Sequence, residues 1–244
     1  MPHNRYYVKK PFCKDELVSI DDLEFQHMTR VMRQKKGDEI ELINGKGQLA
    51  TGNVADIEKR QATILITNVQ NDMLCDFSLT LTLALLKPTH LEFAIEKAVE
   101  LGVTEIVLFA GKRSEKKEVS DQYMIRLTSI IISACKQCGR LFLPKLVIKK
   151  SLKECLAPEQ PAFFGDINKD ARALTSFSEE IKNKRMANLY IGPESGFSED
   201  EIKLMQNAGF HGISFHPNIL RAETAAIAGI TLFSNLLYAT ETKK

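Results

Sequence analysis

The stretch LTLTLALLKPTHLEFAIEKAVELGVTEIVLF, residues 79–109, decides the fold class of this chain. It opens with an almost continuous apolar run, as expected of a strand buried on both faces of a parallel sheet. A segment with apolar residues at helical spacing follows, and a second apolar strand ends the stretch. A strand, a crossover helix and another strand make a βαβ unit, so a parallel sheet is predicted from residue 79 onward.

The same alternation continues towards the C-terminus. Apolar runs predict strands at 146–148, 162–164, 189–191 and 213–215, and a long last helix is predicted over 221–239. Strands that alternate with helices form a mostly parallel sheet with helices on both faces. The C-terminal part of the chain is therefore predicted to be an α/β domain.

The residues before this domain have a different pattern. A helix is predicted after Asp21, and alternating residues at 39–43 are followed by Asn44-Gly45, a strong hairpin signal. Several short strands with one helix predict a small β-barrel. A polar segment at 68–76 is the predicted linker, and it divides the chain into residues 1–72 and 73–244.

Three helices are predicted to begin with a capping box, in which an N-cap oxygen and a glutamate three residues later bind each other's backbone N–H groups. The three pairs are Asp21 with Glu24, Thr89 with Glu92, and Ser198 with Glu201. Each pair precedes an apolar segment at helical spacing, which is why the helix starts are placed there.

Composition sets limits on location and partners. The net charge is +2, with 44% apolar and 26% charged residues, which is typical of a globular domain. No apolar run approaches the ~18 residues of a membrane span. The first residues lack the apolar core of a signal peptide, and the five cysteines are an odd, scattered set. We expect reduced thiols and a cytoplasmic location without a membrane partner.

Two short motifs suggest other chemistry but do not fit it. Gly45 to Ala50 matches a dinucleotide-binding pattern, yet no helix follows to receive a pyrophosphate. Cys135 and Cys138 form a C-x-x-C pair at the C-terminal end of a predicted helix, whereas a redox pair needs the N-terminal end. The histidines and cysteines have no metal-ligand spacing. No metal is predicted.

The stretch IGPESGFS at 191–198 is the first of two candidate ligand loops. It follows a predicted strand and leads into a predicted helix, and open α/β sheets bind ligands at the carboxyl ends of their strands. Gly192 and Gly196 permit close approach of backbone groups to a flat polar ligand. Glu194 could accept a hydrogen bond from a hydroxyl group or a substrate donor.

The stretch NILRAETA at 218–225 is the second candidate loop. Arg221 stands at the start of the last helix, where the helix dipole disfavours a cation, so it is a candidate functional residue. A surface contact with Glu223 does not explain it, because residues two apart on a helix do not face each other.

Together the two loops resemble those of the RsmE-type methyltransferases of the SPOUT (trefoil-knot) class. The resemblance extends over nearly the whole chain. Residues 87–103, 113–115 and 134–140 are similar to further segments of that family's methyltransferase domain. Residues 27–33 and 37–40 are similar to its N-terminal PUA-like RNA-binding domain.

The resemblance implies a knotted α/β methyltransferase domain at 73–244, a small PUA-like β-barrel at 1–72, and a homodimer. It also implies that N3 of a specific uridine in 16S (small-subunit) ribosomal RNA is methylated with S-adenosyl-L-methionine, in free RNA or in the assembled subunit. Cofactor contacts are then expected from Phe164, Gly165, Ile191, Gly192, Pro193, Glu194, Gly196, Phe215, Asn218, Ile219, Leu220, Thr224 and Ala225. RNA contacts are expected from Arg5, Arg30, Arg33, Lys35, Lys36, Arg113 and Arg140.

For the reaction itself, Arg221 is expected to stabilise the anionic uracil oxygens, because N3 must lose its proton as it attacks the methyl group. Either Glu223 or Glu194 would orient the base or accept the proton, and the sequence does not choose between them. All three are therefore the candidate catalytic residues.

Three residues depart from the family pattern: Ser195 and His216 replace the usual glycines, and Ala222 replaces a common threonine. We expect these positions to alter details of the two loops. Two alternatives stay open at this point. One is a ribose 2′-O-methyltransferase of the same knotted class, and the other is a non-catalytic ribosomal RNA-binding assembly factor.

Overall fold

The computed structural model describes residues 4–168 and 170–238. The chain divides into two compact units. One contains Met1–Leu74 and Ile132–Leu143, and the other contains Cys75–Ile131 and Pro144–Lys244. The first unit thus includes a segment that is distant in sequence and that the predicted division at residue 72 assigned to the other domain.

The first unit is built on one five-stranded sheet. Its elements are β1 (Arg5–Tyr7), β2 (Leu17–Ile20), α1 (Asp22–Gln26), β3 (Glu39–Ile43), β4 (Gln48–Ile57) and β5 (Ala62–Asn71). The strand order is β1-β3-β4-β5-β2, with β1 parallel to β3 and the other neighbours antiparallel. Helix α1 continues as a π-helix over His27–Val31. One turn of π-helix is rare and often marks a functional segment.

Two irregularities curl this sheet around its core. The pairing of β4 with β5 shifts register between Thr51 and Gly52 and again between Val54 and Asp56. Such bulges bend a strand and increase its twist. The concave side covers a cluster of buried apolar side chains that includes Tyr6, Met28, Leu42 and Ile64. The predicted small β domain is confirmed as this curled sheet.

The hairpin predicted at Asn44-Gly45 is confirmed. The Asn44 side-chain oxygen accepts hydrogen bonds from the backbone N–H groups of Lys46 at 2.8 Å and Gln48 at 3.1 Å. Gly45 and Gly47 have φ values of 70° and 93°, in the region that favours glycine. The residues that resemble a dinucleotide motif therefore form the turn after β3 and the first residues of β4.

The second unit alternates strands and helices, as predicted. Its elements are β6 (Ser78–Ala84), α2 (Pro88–Glu100), β7 (Glu105–Phe109), α3 (Asp121–Cys138), β8 (Lys145–Lys149), β9 (Ala162–Gly165), β10 (Arg172–Ala173), α4 (Ser178–Lys184), β11 (Met186–Ile191), α5 (Glu199–Asn207), β12 (His211–Ser214) and α6 (Ala222–Tyr238). Short 3₁₀ turns lie at Leu152–Cys155 and Leu174–Phe177. Helix α3 begins in this unit and ends in the first. The last helix was predicted to end at Ala239, which lies outside the described residues.

The seven strands of this unit form one parallel sheet, which confirms the prediction. Their order is β10-β12-β9-β11-β6-β7-β8. The last helix, α6, packs against β11, β6, α2 and α4. A Cβ on Gly229 of α6 would lie 2.6 Å from Cδ2 of Leu189, so this glycine lets the helix lie close to the sheet. Within residues 4–168 and 170–238, no helix has the length and apolar character needed to cross a membrane.

Only one of the three predicted capping boxes forms. Ser198 and Glu201 exchange both hydrogen bonds at the start of α5. At α1 the Glu24 carboxylate instead binds Lys136 Nζ at 2.7 Å and the Tyr7 N–H at 3.3 Å. At α2 the N-cap is Lys87 rather than Thr89, and Glu92 forms a two-pronged ion pair with Arg126. In both cases a cation that is distant in sequence binds the carboxylate, which therefore does not bind a backbone N–H group at the helix start.

The C-x-x-C pair lies in the last turn of α3, as predicted. Burial raises the pKa of the Cys135 thiol to about 12. A thiol that stays protonated is a poor nucleophile. All five cysteines are free, and of this pair Cys135 is buried in the interior whereas Cys138 is exposed.

A buried chain of hydrogen bonds crosses the sheet of the second unit. Thr82 Oγ1 donates to Asn188 Oδ1 at 2.9 Å, and Asn188 Nδ2 donates to the Tyr190 hydroxyl at 3.0 Å. Tyr190 in turn donates to the Cys155 carbonyl at 2.7 Å. Burial raises the pKa of Tyr190, so its hydroxyl stays a neutral donor.

Replacing Tyr190 with phenylalanine is expected to lower the free energy of unfolding by roughly 1–3 kcal/mol, because the Cys155 carbonyl and the Asn188 amide lose a partner in a dry interior. Urea denaturation measures the change. Tyr123→Phe is the control, since that half-buried hydroxyl makes one long bond, 3.4 Å, to the Pro88 carbonyl. Equal losses in the two variants would contradict the prediction.

Candidate active site

Three loops of the second unit surround one cavity. They follow β9, β11 and β12, which are neighbours in the sheet in the order β12-β9-β11. Because the strands are parallel, these loops leave the sheet at the same edge. The cavity between them has a volume of about 600 Å³.

Nearly all the predicted cofactor residues line this cavity. Those that do are Phe164, Gly165, Ile191, Gly192, Pro193, Glu194, Gly196, Phe215, Asn218, Ile219, Leu220 and Ala225. Thr224 is the exception, since it lies exposed on the first turn of α6 and does not line the cavity. The two loops singled out in the sequence are thus brought together by the order of the strands.

The sequence-based prediction missed the loop after β9. Asp166, Ile167 and Asn168 line the cavity, and the Asp166 carboxylate accepts a 2.9 Å hydrogen bond from the Asn168 N–H. These residues follow a predicted strand, so the rule that identified the other two loops would also have identified this one. Their polarity alone gave no signal, because turn residues are usually polar.

The three residues that depart from the family pattern all line the cavity. The His216 ring nitrogen Nδ1 accepts a 3.0 Å hydrogen bond from the Asn218 N–H and so stabilises the turn after β12. The carbonyl of Ser195 accepts a 3.1 Å hydrogen bond from the Arg113 guanidinium. Ser195 and His216 therefore both contribute to the wall of the cavity.

The loop after β11 is a tight turn. The Gly196 N–H donates to the Pro193 carbonyl at 2.8 Å, and Gly196 has a φ of 71°. A Cβ on Gly192 would lie 3.0 Å from the backbone nitrogen of Phe197, which leaves little space for a side chain. Glycine at 192 thus lets the two arms of the turn approach each other.

Glu201 connects the β11 loop to a neighbouring segment through hydrogen bonds. It is buried, and its two carboxylate oxygens accept hydrogen bonds from the Ser198 N–H and the Lys112 N–H, both at 2.8 Å. One side chain therefore joins the β11 loop to the segment after β7. The same segment supplies Arg113, which also lines the cavity.

Replacing Glu201 with alanine is expected to lower the free energy of unfolding by about 1–3 kcal/mol, since it removes one of the two hydrogen bonds of the capping box and leaves the Ser198 and Lys112 N–H groups without their acceptor. The matched control is Asp200→Ala. That neighbour binds only the exposed Lys112 ammonium, at 2.7 Å, and such pairs contribute less than about 1 kcal/mol. Urea denaturation of both variants checks the difference, and a similar loss in each would count against the anchoring role.

Of the three candidate catalytic residues only Glu194 lines the cavity, and Arg221 and Glu223 lie on either side of the lining residue Ala222 without being part of the lining. Glu194 lines the cavity, and Glu223 is buried in the first turn of α6. Both carboxylates lie near His90 of α2, whose Nδ1 is 3.5 Å from Glu194 Oε1 and 3.9 Å from Glu223 Oε2. Arg221 is exposed immediately before α6, and no carboxylate of the described residues is within ion-pair distance of its guanidinium.

Glu194 carries a negative charge at neutral pH. Burial opposes its ionisation, but a 3.0 Å hydrogen bond from the Lys87 N–H and the nearby His90 ring outweigh that effect. The pKa of this carboxyl consequently lies below its ordinary value. An ionised carboxylate at the edge of the cavity can accept a hydrogen bond or a proton from a bound molecule.

The predicted RNA-binding residues fall into different environments. Arg30, Arg33, Lys35 and Lys36 are exposed on the first unit. Arg5 is not, because its guanidinium forms a largely buried ion pair with Glu41 at 2.7 Å and is thus engaged within the protein. Arg140 is half-buried, and Arg113 lies at the cavity as described above.

In the described part of the chain, no group of three or more His, Cys, Asp or Glu could hold a metal ion.

Two family models match the chain. The model described as an RNA methyltransferase domain matches residues 75–234, and the model described as an RNA methyltransferase PUA domain matches residues 20–67. Curated relatives include the ribosomal RNA small subunit methyltransferase E of Rickettsia conorii, which is 27% identical over 234 residues, 94% of each chain. The protein of that name from Mesomycoplasma hyopneumoniae is 35% identical over 62% of this chain and 66% of its own.

Solved structures agree over almost the full length. The ribosomal RNA small subunit methyltransferase E of Neisseria gonorrhoeae, crystallised with S-adenosyl methionine, superimposes with a TM-score of 0.85 at 27% identity and covers 96% of this chain and 97% of its own. A methyltransferase of Legionella pneumophila in complex with the same cofactor gives a TM-score of 0.86 at 26% identity, with coverage of 94% and 96%. These matches confirm the fold predicted from the resemblance, a SPOUT-type domain with a small PUA-like domain. This chain belongs to the RNA methyltransferase family.

Proposed function

We propose that this protein methylates N3 of a uridine in small-subunit ribosomal RNA, with S-adenosyl-L-methionine as the methyl donor. The observation that carries the proposal is the cavity bounded by the β9, β11 and β12 loops, which Glu194 lines and which Ala222, between Arg221 and Glu223, also lines. The names of the relatives and the cofactor bound in two similar structures support it.

The cavity fits the proposed cofactor. Its volume of about 600 Å³ is within the range of roughly 300–1,000 Å³ that small-molecule sites usually have. Gly165, Gly192, Phe215 and Leu220 are among the residues that line it, and bare backbone next to apolar side chains suits a flat adenosyl group. When bound, S-adenosylmethionine supplies a methyl group on a positively charged sulfur. Thr224 is excluded from this proposed set because it does not line the cavity.

We place the uracil beside Arg221, which directly precedes the lining residue Ala222. N3–H is a weak acid on the Watson–Crick edge of the base, so the target must be unpaired or flipped out. Arg221 has no carboxylate partner in the described part of the chain, and its guanidinium is available to the negative charge that develops on the uracil oxygens. Glu194 and Glu223 are the proposed groups that orient the base and receive its proton.

We propose that residues 1–72 act mainly as the RNA-binding domain and residues 73–244 as the methyltransferase domain. Arg30, Arg33, Lys35 and Lys36 are exposed beside the π-helix, where their charges can contact phosphates without reading sequence. Arg5 is omitted because of its ion pair with Glu41. A homodimer in the cytoplasm completes the proposal, and light scattering of the purified protein tests the dimer.

The test is nucleoside mass spectrometry of small-subunit RNA and of assembled subunits incubated with the protein and S-adenosylmethionine. We expect 3-methyluridine in at least one of the two substrates. A ribose-methylated nucleoside would instead show a 2′-O-methyltransferase. Cofactor binding without any methylated product would favour an assembly factor.

A further inference from the structure

His90 is a titratable side chain that the proposed reaction has not yet used. It lies in the first turn of α2, between the β11 loop and α6. Its Nδ1 and the Oε2 atom of Glu223 are both buried, and neither has a hydrogen-bond partner in the described part of the chain. Buried polar atoms are almost always satisfied, so a pair of unsatisfied atoms 3.9 Å apart calls for an explanation.

Two carboxylates approach His90 from two different elements, Glu194 from the β11 loop and Glu223 from α6. Among the described residues, neither carboxylate has another basic side chain within ion-pair distance. The Glu223 side chain is about nine-tenths buried, with 10% of its surface exposed, so solvent screens its charge poorly.

The other charged groups near the ring are paired elsewhere. Lys87 directs its ammonium to Glu115 at 3.3 Å and contributes only its backbone N–H to Glu194. From α3, Arg126 is held by Glu92, and the Tyr123 hydroxyl donates to the Pro88 carbonyl. His90 is thus the group that can place a positive charge between the two carboxylates.

We propose that His90, as an imidazolium, is a positioning residue that keeps Glu194 and Glu223 ionised and oriented toward the uracil end of the site. This inference rests on the proposed uridine methylation, in which the N3 proton must leave to a base. Histidine changes charge between about pH 5 and 8.

The experiment compares wild type with His90→Gln and His90→Lys. We expect His90→Gln to lower kcat at least tenfold, while the dissociation constant of S-adenosylmethionine measured by calorimetry stays within about twofold. Lysine keeps its charge up to about pH 10. The ratio of kcat of His90→Lys to kcat of wild type should thus rise severalfold between about pH 6 and 9. Thr89→Ala, at the exposed neighbouring residue, is the control expected to match wild type.

A second readout needs no activity. In NMR spectra near neutral pH, the His90 ring signals, assigned by their loss in His90→Gln, should move toward those of neutral imidazole in Glu223→Gln. Unchanged signals, a wild-type kcat in His90→Gln, or parallel pH profiles of His90→Lys and wild type would each overturn the proposal. The proposal would also be overturned if a loss of folding or of cofactor binding accounts for the lost activity of His90→Gln. If wild type yields no 3-methyluridine, the proposed function fails, whereas the NMR result still shows whether His90 interacts with Glu223.

Discussion

Arg221→Ala is expected to lower kcat for uridine methylation by about 100-fold or more and to leave affinity for S-adenosylmethionine within about twofold. Removing one group that stabilises a developing negative charge typically costs 10²–10³ in kcat. Arg221 is exposed, without a carboxylate partner in the described part of the chain. Its loss therefore leaves no buried charge unpaired and should not disturb the fold.

Single-turnover methylation of small-subunit RNA, with calorimetry for the cofactor, checks this prediction. Arg221→Lys is expected to recover part of the rate, because it restores the charge without the planar guanidinium. Arg60→Ala, at the exposed turn between β4 and β5, controls for the loss of one positive charge. Wild-type turnover in Arg221→Ala would remove this residue from the proposed mechanism.

Gly192→Val is expected to weaken binding of S-adenosylmethionine at least tenfold. A Cβ at this position would lie 3.0 Å from the Phe197 backbone nitrogen, 3.2 Å from its ring and 3.3 Å from the Gly196 carbonyl carbon. Backbone atoms cannot move aside as the end of a flexible side chain can. The two methyl groups of valine would thus push apart the arms of the turn that line the cavity.

Calorimetry measures the change, and Gly192→Ala should give an intermediate loss because it adds only the Cβ. Gly209→Ala is the matched control. Gly209 follows α5 with a φ of 80°, and an added Cβ there meets no atom within 4 Å. That variant should lose about 1–2 kcal/mol of stability from left-handed backbone strain but bind the cofactor normally. Normal cofactor binding in Gly192→Val would contradict the assignment of this turn to the cofactor.

The helix starts show where sequence patterns fail. The Ser198–Glu201 box was predicted correctly, since both partners lie within one turn of chain. Glu24 and Glu92 stand at the same spacing from an N-cap candidate, yet Lys136 and Arg126 bind their carboxylates. Local spacing cannot indicate a partner that is 34 or 112 residues away.

The candidate site divides in the same way. The β11 and β12 loops were found because each follows an apolar strand and because one carries two glycines and the other an arginine at a helix start. His90 gave no such signal, since one histidine after a proline fits any helix start. Its position matters because Glu194 and Glu223 approach it from elements that are far apart in sequence.

By itself, the sequence determined the alternation of strands and helices, the parallel sheet, the curled β domain and the family, because these depend on the period of apolar residues and on short motifs. Only the tertiary structure decided that Ile132–Leu143 joins the first unit, that Arg5 is engaged with Glu41, and that three loops enclose one cavity. The physical reason is that strand order and ion-pair partners are set by contacts between residues distant along the chain, which compete with, and here outweigh, local preferences.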